Sequence, residues 1–124
     1  MKIRASAEDY LETILLLSKK NGSVRSVDIV DTMGFSKPSV SIAMKKLRED
    51  GLIRMDEDGH ITLTKKGGQA ARDVYDRHST IYDWLVSIGV DDKTAAADAC
   101  RMEHVLSEKS FSAIKRLYEN GVKK

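Results

Sequence analysis

The sequence has only one cysteine and one proline among its 124 residues, and aromatic residues make up 6% of it. A single cysteine cannot form a disulfide within the chain, which is typical of proteins of the reducing cytosol. The longest apolar run, residues 14–17, is far shorter than the ~20 residues that cross a bilayer. The first residues also lack the apolar core of a signal peptide. We therefore expect a cytoplasmic protein that does not span a membrane.

The chain also has little excess of either charge. Its 21 Lys and Arg residues against 19 Asp and Glu give a net charge of +2, which does not by itself indicate a nucleic-acid-binding protein. Hydrophobic residues at 41% and charged residues at 32% describe a soluble, folded chain. Its length suits one compact domain, or two small ones.

Apolar spacing and capping signals predict three helices, a hairpin and three further helices. The first three helices are expected at about residues 6–20, 27–33 and 37–49. The hairpin is expected within residues 52–64, because Asp58-Gly59 supplies the backbone angles of a tight turn. A long helix is expected over about residues 64–87, although Gly67 and Gly68 should each weaken it by ~1 kcal/mol. The fifth and sixth helices are expected from about residues 91 and 107, the sixth ending near residue 120.

This order of elements is typical of a winged helix-turn-helix. The short turn of residues 33–36 separates the second and third helices, and Gly34 suits a left-handed backbone there. The fold is therefore predicted to be mainly α, with a small β-hairpin wing. We expect a small core behind the turn, formed by Val27, Ile29, Val30, Val40, Met44 and Leu47.

The third helix carries small hydroxyls at its start and cations along its length, with no acid before Glu49. A helix N-terminus favours phosphate oxygens, and small side chains can approach base edges. The acidic hairpin tip, residues 56–58, argues against contact of the tip with phosphates. The flanks of the wing are therefore the favoured place for contact with DNA. The candidate DNA-binding residues are Ser36, Lys37, Pro38, Ser39, Ser41, Lys45, Lys46 and Arg54. A solvated helix face and a protein-interaction module are the two alternatives to DNA binding.

A second group of residues has the spacing of metal ligands. Cys100, Glu103 and His104 fall at positions i, i+3 and i+4, which share one face of a helix. A thiolate, a carboxylate and an imidazole in one turn can hold a divalent transition metal. The further candidate ligands, from the first helix and the long helix, are Asp9, Glu12 and His78.

Each of these residues alone is also compatible with an ordinary structural role, such as a core histidine or a surface ion pair. An alternative function is a thiol- or ligand-sensing winged-helix regulator that acts through Cys100 without a metal. A metal-dependent hydrolase is disfavoured, because six ligands leave no open coordination position. We therefore expect no enzymatic activity.

Taken together, several stretches resemble the diphtheria-toxin-repressor family of iron- and manganese-dependent regulators, in particular its short manganese-regulator branch. They are spread over nearly the whole chain and are specific as a set. The stretches are residues 8–12, 36–41, 63–67, 77–78, 88–91 and 100–104.

The resemblance implies a winged-helix DNA-binding domain over residues 1–64 and a helical dimerisation and metal-binding domain over residues 65–124. It also implies a homodimeric repressor that binds a double-stranded DNA operator and controls genes of metal-ion homeostasis. Apolar residues of the last three helices, with Trp84, Leu85, Ile114 and Leu117 as candidates, are expected to form the dimer.

By position, five candidate ligands match the manganese branch of the family: Asp9, Glu12, His78, Glu103 and His104. Cys100 instead matches the iron branch, whereas Asp9 departs from that branch. The cofactor is therefore expected to be Mn²⁺ or Fe²⁺, and a thiolate also suits Zn²⁺, Co²⁺ or Ni²⁺. The short architecture favours Mn²⁺.

Overall fold

The computed structural model describes the backbone of residues 5–122 and the side chains of residues 7–121. The chain folds into six helices and one two-stranded antiparallel hairpin over this range, so the predicted mainly α class with a small wing is confirmed. None of the described helices combines the length and apolarity needed to cross a membrane. The elements are α1 (Ala5–Asn21), α2 (Ser26–Met33), α3 (Lys37–Glu49), β1 (Ile53–Met55), β2 (Ile61–Leu63), α4 (Lys65–Ser87), α5 (Asp92–Val105) and α6 (Glu108–Val122).

The chain divides into two compact units, and the division falls within α4, between Asp73 and Val74. The first unit contains α1, α2, α3, the hairpin and the beginning of α4. The second unit contains the rest of α4 together with α5 and α6.

The first unit buries one apolar cluster behind the helix-turn-helix. Leu11 and Ile14 of α1 are fully buried, and Ile29, Val40, Met44 and Leu47 join them as expected. The expectation for Val27 was wrong, because its side chain is 50% exposed. α2 has only eight residues, and its inward face is already provided by Ile29 with help from the half-buried Val30.

The turn between α2 and α3 has the predicted geometry. Gly34 has φ +74°, and its N–H donates to the Val30 carbonyl at 2.9 Å, which closes α2. The next residue, Phe35, packs its ring 6.0 Å from the ring of Tyr10, at a tilt of 58°. This aromatic contact fixes the turn against α1, and burial raises the pKa of Tyr10.

The wing is a short hairpin in the register Ile53–Leu63, Arg54–Thr62 and Met55–Ile61. Its tip is organised by Asp56, whose side chain accepts from the N–H groups of Asp58 and His60 at 2.9 and 2.8 Å. These bonds lower the pKa of the Asp56 carboxyl, and the bond from the His60 N–H is the main cause. The acidic tip is therefore a structured turn.

Gly67 is required at the start of α4 because the helix passes very close to the segment that follows α3. A Cβ at this position would overlap the carbonyl oxygen of Leu52, which accepts from the N–H of Thr64 at 3.1 Å. The Thr64 hydroxyl adds to this junction by donating to the Gly51 carbonyl at 2.7 Å and accepting from the Gly67 N–H at 3.0 Å. Gly67 thus permits the close approach of α4 to the Leu52 carbonyl, in addition to lowering helix propensity.

Alanine substitutions at the two adjacent glycines should have opposite effects. Gly67→Ala is expected to destabilise the protein by about 1–3 kcal/mol, because the new methyl group collides with backbone atoms. Gly68→Ala is the matched control: its Cβ would meet only the flexible end of Arg72, so improved helix propensity should stabilise it by up to ~1 kcal/mol. Urea unfolding of both variants measures the difference. Equal destabilisation by both would contradict the close approach.

The second unit has a small core of its own. Ile81 and Leu85 of α4 pack with Phe111 of α6 and with two alanines of α5, Ala95 and Ala99. Side-chain caps begin the last two helices: Asp91 accepts from the Thr94 N–H at 3.0 Å, and Ser107 accepts from the Ser110 N–H at 3.1 Å. The hydrogen bond that the Asp91 carboxylate accepts from the Thr94 N–H is the main cause of the lowered pKa of Asp91.

Candidate nucleic-acid interface and metal centre

The start of α3 presents small polar groups to solvent. Ser36 is the N-cap: its Oγ accepts from the Ser39 N–H at 3.3 Å and donates to the Ser39 Oγ at 2.9 Å. Lys37, Pro38 and Ser41 are exposed beside it. This end of the helix carries the partial positive charge and the free N–H groups that suit a phosphate oxygen.

The rest of α3 carries an exposed row of cations. Lys45, Lys46 and Arg48 all point to solvent, and among them Lys46 lies 3.6 Å from the carboxylate of Asp50. The opposite side of the helix is buried. The face therefore has both the charge and the exposure that a DNA backbone requires.

Arg54 lies on β1, which follows α3 in the sequence, and its side chain is exposed. Arg54 and Thr62 are paired across the hairpin and both are exposed. His60 lies at the base of the turn, with Nδ1 3.2 Å from the carboxylate of Asp56 and Nε2 3.3 Å from a guanidinium nitrogen of Arg25. The flanks of the wing, rather than its acidic tip, are the positive part of the hairpin.

In the second unit, one buried carboxylate lies between two histidines. Glu103 is 1% exposed; its Oε2 is 3.0 Å from Nδ1 of His78, and its Oε1 is 3.3 Å from Nε2 of His104. His78 comes from α4, whereas Glu103 and His104 are neighbours on α5. Three of the six candidate ligands are thus adjacent in space.

The buried carboxylate is not fully paired. The contact of Oε1 with His104 is not a hydrogen bond, and among the described side chains Oε1 is a buried polar atom without a hydrogen-bond partner. Burying such an atom costs ~1–3 kcal/mol. Atoms that share one ion at 2.0–2.2 Å lie about 3.0–3.4 Å apart, so both carboxylate–imidazole spacings fit ligands of a divalent metal. Each carboxylate–imidazole pair, His78 with Glu103 and Glu103 with His104, therefore has the donor chemistry and the spacing of two ligands of a metal.

Arg77 holds the end of α5 that carries these ligands. Its guanidinium donates to the carbonyl oxygen of Glu103 and, at 2.9 Å, to that of Leu106. Carbonyls at a helix C-terminus have no partner within the helix, and Arg77 supplies one. The guanidinium also lies 5.0 Å from the centre of the Phe111 ring, which covers it.

Removing the Arg77 side chain should leave every candidate metal ligand in the chain but hold the end of α5 less rigidly. Arg77→Ala is expected to destabilise the second unit by ~2–3 kcal/mol and to weaken metal binding about 10- to 100-fold. Arg116→Ala, which removes an exposed arginine of α6, is the control and should change neither property. Guanidinium unfolding and calorimetric metal titration measure the two effects. Unchanged metal affinity in Arg77→Ala would show that this side chain does not position the ligands.

The other three candidate ligands are Asp9, Glu12 and Cys100. Asp9 and Glu12 are three residues apart on α1, in the first unit, and both are half-buried. Cys100 is on α5, one turn before Glu103, and its side chain is exposed. The sequence indicated these residues as candidate ligands but gave no role to Arg77, for which the only signal was its place next to His78.

Comparison with known proteins identifies the family of the whole chain. A family model described as "Iron dependent repressor, N-terminal DNA binding domain" matches residues 2–66. A second, described as "Iron dependent repressor, metal binding and dimerisation domain", matches residues 64–122. The two matches cover the helix-turn-helix with its wing and the histidine–carboxylate group, respectively.

Individual relatives agree with these matches. The chain is 35% identical over 116 residues to an uncharacterized HTH-type transcriptional regulator of Methanocaldococcus jannaschii, covering 92% of this chain and 93% of that one. It is 34% identical over 112 residues to the transcriptional regulator MntR of Escherichia coli O157:H7, covering 90% of this chain and 72% of that one.

A solved structure described as a manganese-dependent transcriptional repressor in complex with manganese superposes with a TM-score of 0.83 at 27% identity. The match covers 91% of this chain but 52% of that one, so the chain spans about half the length of that repressor. The resemblance noted from the sequence is confirmed. The chain belongs to the iron-dependent repressor family of metal-dependent, DNA-binding transcriptional regulators.

Proposed function

We propose that this chain is a homodimeric cytoplasmic repressor that binds a double-stranded DNA operator when it holds Mn²⁺ or Fe²⁺, and that it controls genes of metal-ion homeostasis. Residues 1–64 would form the DNA-binding domain, and residues 65–124 the dimerisation and metal-binding domain. The observation that carries this proposal is the buried Glu103, which lies between two histidines and has an oxygen without a hydrogen-bond partner among the described residues.

The proposed ligands fall into two groups with different support. His78, Glu103 and His104 are adjacent in the second unit. The other three are supported by the family resemblance of the sequence: Asp9, Glu12 and Cys100. A bound ion would neutralise the Glu103 carboxylate and use the imidazole lone pairs, which are the ligands that Mn²⁺ and Fe²⁺ accept.

The identity of the metal depends on Cys100. Carboxylates and imidazoles suit Mn²⁺, whereas a thiolate raises the relative affinity for Fe²⁺, Co²⁺, Ni²⁺ and Zn²⁺. Because the Cys100 side chain is exposed, we favour a set in which carboxylates and imidazoles dominate, and hence Mn²⁺ before Fe²⁺. Cys100→Ser should then lower Zn²⁺ affinity more than Mn²⁺ affinity.

Metal binding is proposed to act on DNA binding by population shift. Asp9 and Glu12 belong to α1, which packs against the helix-turn-helix in the first unit. An ion held by ligands of both units would favour one placement of α3 in each subunit. Two recognition helices must be held about one DNA turn apart to bind a two-fold operator, and the ion favours that state by binding it more tightly.

Homodimerisation is proposed through apolar surface of the second unit. Leu85 is unsuitable because it is buried in the unit's own core, whereas Leu117 is 64% exposed. Val86, Ile88 and Val105 are also exposed, at 37%, 61% and 78%. Sedimentation of the metal-free chain at micromolar concentration should give a dimer, and Leu117→Glu should weaken it. A monomer under these conditions would contradict this part of the proposal.

Calorimetric titration with Mn²⁺, Fe²⁺ and Zn²⁺ tests the proposed ligands. Wild-type protein should bind Mn²⁺, and His78→Ala should lower the affinity at least ~10-fold, whereas the control Arg116→Ala, which removes an exposed arginine of α6, should leave it unchanged. Binding of Mn²⁺ that is equal in wild type and His78→Ala would overturn the site.

DNA-binding titrations with metal, chelator and oxidant separate metal sensing from thiol sensing through Cys100. Metal sensing predicts DNA binding that increases when metal is added, is lost in chelator and persists under reducing conditions. Thiol sensing predicts DNA binding that responds to oxidant, that loses this response in Cys100→Ser and that does not change with chelator.

A further inference from the structure

The exposed face of α3 has an apolar residue at its centre. Ile42 is 71% exposed, whereas the buried side chains of α3 are Val40, Met44 and Leu47. At about 100° per residue, Ile42 lies about 200° around the helix from Val40, so it points directly away from the core. Ile42 therefore makes no contribution to the core of the first unit.

The neighbours of Ile42 on this face are groups that suit DNA. Pro38 and Ser39 lie one turn earlier, and Lys45 and Lys46 lie one turn later, all of them exposed. Ile42 is the one exposed large apolar side chain of α3, a helix that is described in full. Exposed single hydrophobic residues are common on protein surfaces, but this one occupies the middle of a polar and basic face.

We propose that Ile42 is a specificity-determining residue that contacts the C5-methyl group of a thymine in the major groove of the operator. This inference rests on the proposed DNA-binding function and adds to it the identity of the base that Ile42 recognises. When a helix lies in the major groove, the residues flanking its outward face reach the phosphates and the centre of that face reaches the base edges.

The chemistry of isoleucine limits what it can read. Its side chain has no hydrogen-bond donor or acceptor, and the apolar group that a base pair presents in the major groove is the thymine methyl. Facing the polar edge of a G·C pair, the isoleucine would displace water without replacing its hydrogen bonds. Ile42 therefore selects a T·A pair at its position in each half-site.

The test replaces single thymines by deoxyuridine, which removes only the methyl group. A duplex selected by the wild-type protein from a random library, in saturating Mn²⁺, supplies the sequence. Deoxyuridine at one thymine of a half-site should weaken wild-type binding about three- to tenfold. Ile42→Ala should weaken binding to the unmodified duplex by a similar factor. The affinity of this variant should not fall further when the same thymine is replaced by deoxyuridine.

Controls separate a base contact from other causes. Leu16→Ala removes an exposed apolar side chain of α1 and should keep the full deoxyuridine response. Because Ile42 is exposed, Ile42→Ala should unfold at the wild-type temperature, which excludes misfolding. Ile42→Val, which keeps a branched apolar side chain, should retain most of the response.

Three results would overturn the inference. The first is Ile42→Ala with wild-type affinity and an unchanged deoxyuridine profile. The second is a change of oligomeric state in Ile42→Ala, which would assign the residue to a contact between protein chains. The third is failure of the wild type to select any duplex, which would overturn the DNA-binding function as well, whereas the first two leave that function intact.

Discussion

Glu103→Gln is expected to abolish stabilisation by metal while it makes the metal-free protein more stable. In the metal-free protein the buried carboxylate has one oxygen without a hydrogen-bond partner among the described residues, and its charge has lost its hydration. A neutral amide of the same shape removes that charge, so the metal-free variant should gain about 1 kcal/mol, or roughly 3–5 °C in Tm. The amide is also a poor metal ligand, so affinity should fall at least ~100-fold.

Thermal unfolding with and without Mn²⁺ measures both effects. At a metal concentration about 100 times its Kd, the wild type should gain ~2.7 kcal/mol, whereas Glu103→Gln should gain almost nothing. Glu119→Gln is the control: Glu119 is an exposed carboxylate of α6, and this variant should behave like the wild type. A Glu103→Gln variant that is less stable without metal and still responds to Mn²⁺ would show that the carboxylate is a structural group.

Removing two lysines from α3 is expected to weaken DNA binding and to flatten its dependence on salt. Lys37 and Lys45 are exposed on the face that carries the other cations of this helix. If each neutralises one phosphate, the double variant Lys37→Ala/Lys45→Ala loses about four contacts per dimer. The slope of log K against log salt should then fall by about 3.6, and the affinity by roughly 100-fold at physiological salt.

The matched control changes the same number of charges elsewhere. Lys93 and Lys109 are exposed on α5 and α6, in the second unit. Lys93→Ala/Lys109→Ala should keep the wild-type salt slope, because phosphate contacts and not net charge determine it. Anisotropy titrations over a range of salt concentrations compare the two variants. Equal losses in both would assign the effect to net charge and contradict a DNA-binding face on α3.

Much of the fold could be predicted because its signals are local. Gly34 between two amphipathic helices predicted the helix-turn-helix, and the turn has the left-handed backbone that only glycine adopts easily. Asp58-Gly59 predicted the hairpin, and Asp56 completes that turn with its own side chain. Caps such as Ser36 and Asp91 also act on residues three positions away, so they can be read from the sequence.

What could not be predicted depends on contacts between distant residues. Gly67 was expected only to weaken α4, but the carbonyl of Leu52, fifteen positions earlier, is what requires it. The burial of Glu103 and the two carbonyl contacts of Arg77 likewise depend on the packing of α4 against α5, which no local pattern specifies. The spacing of Cys100, Glu103 and His104 therefore indicated candidate ligands, but not which carboxylate is buried between two histidines.

Titration of the wild-type chain with its selected operator, in Mn²⁺ and then in chelator, tests the central claim most directly. If metal binding at His78, Glu103 and His104 controls the protein, DNA binding should be at least ~10-fold tighter with metal than without it. Chelator should reverse this increase, and His78→Ala should show no difference between the two conditions. DNA affinity that is the same in saturating Mn²⁺ or Fe²⁺ as in chelator would contradict the claim that a divalent metal controls this protein.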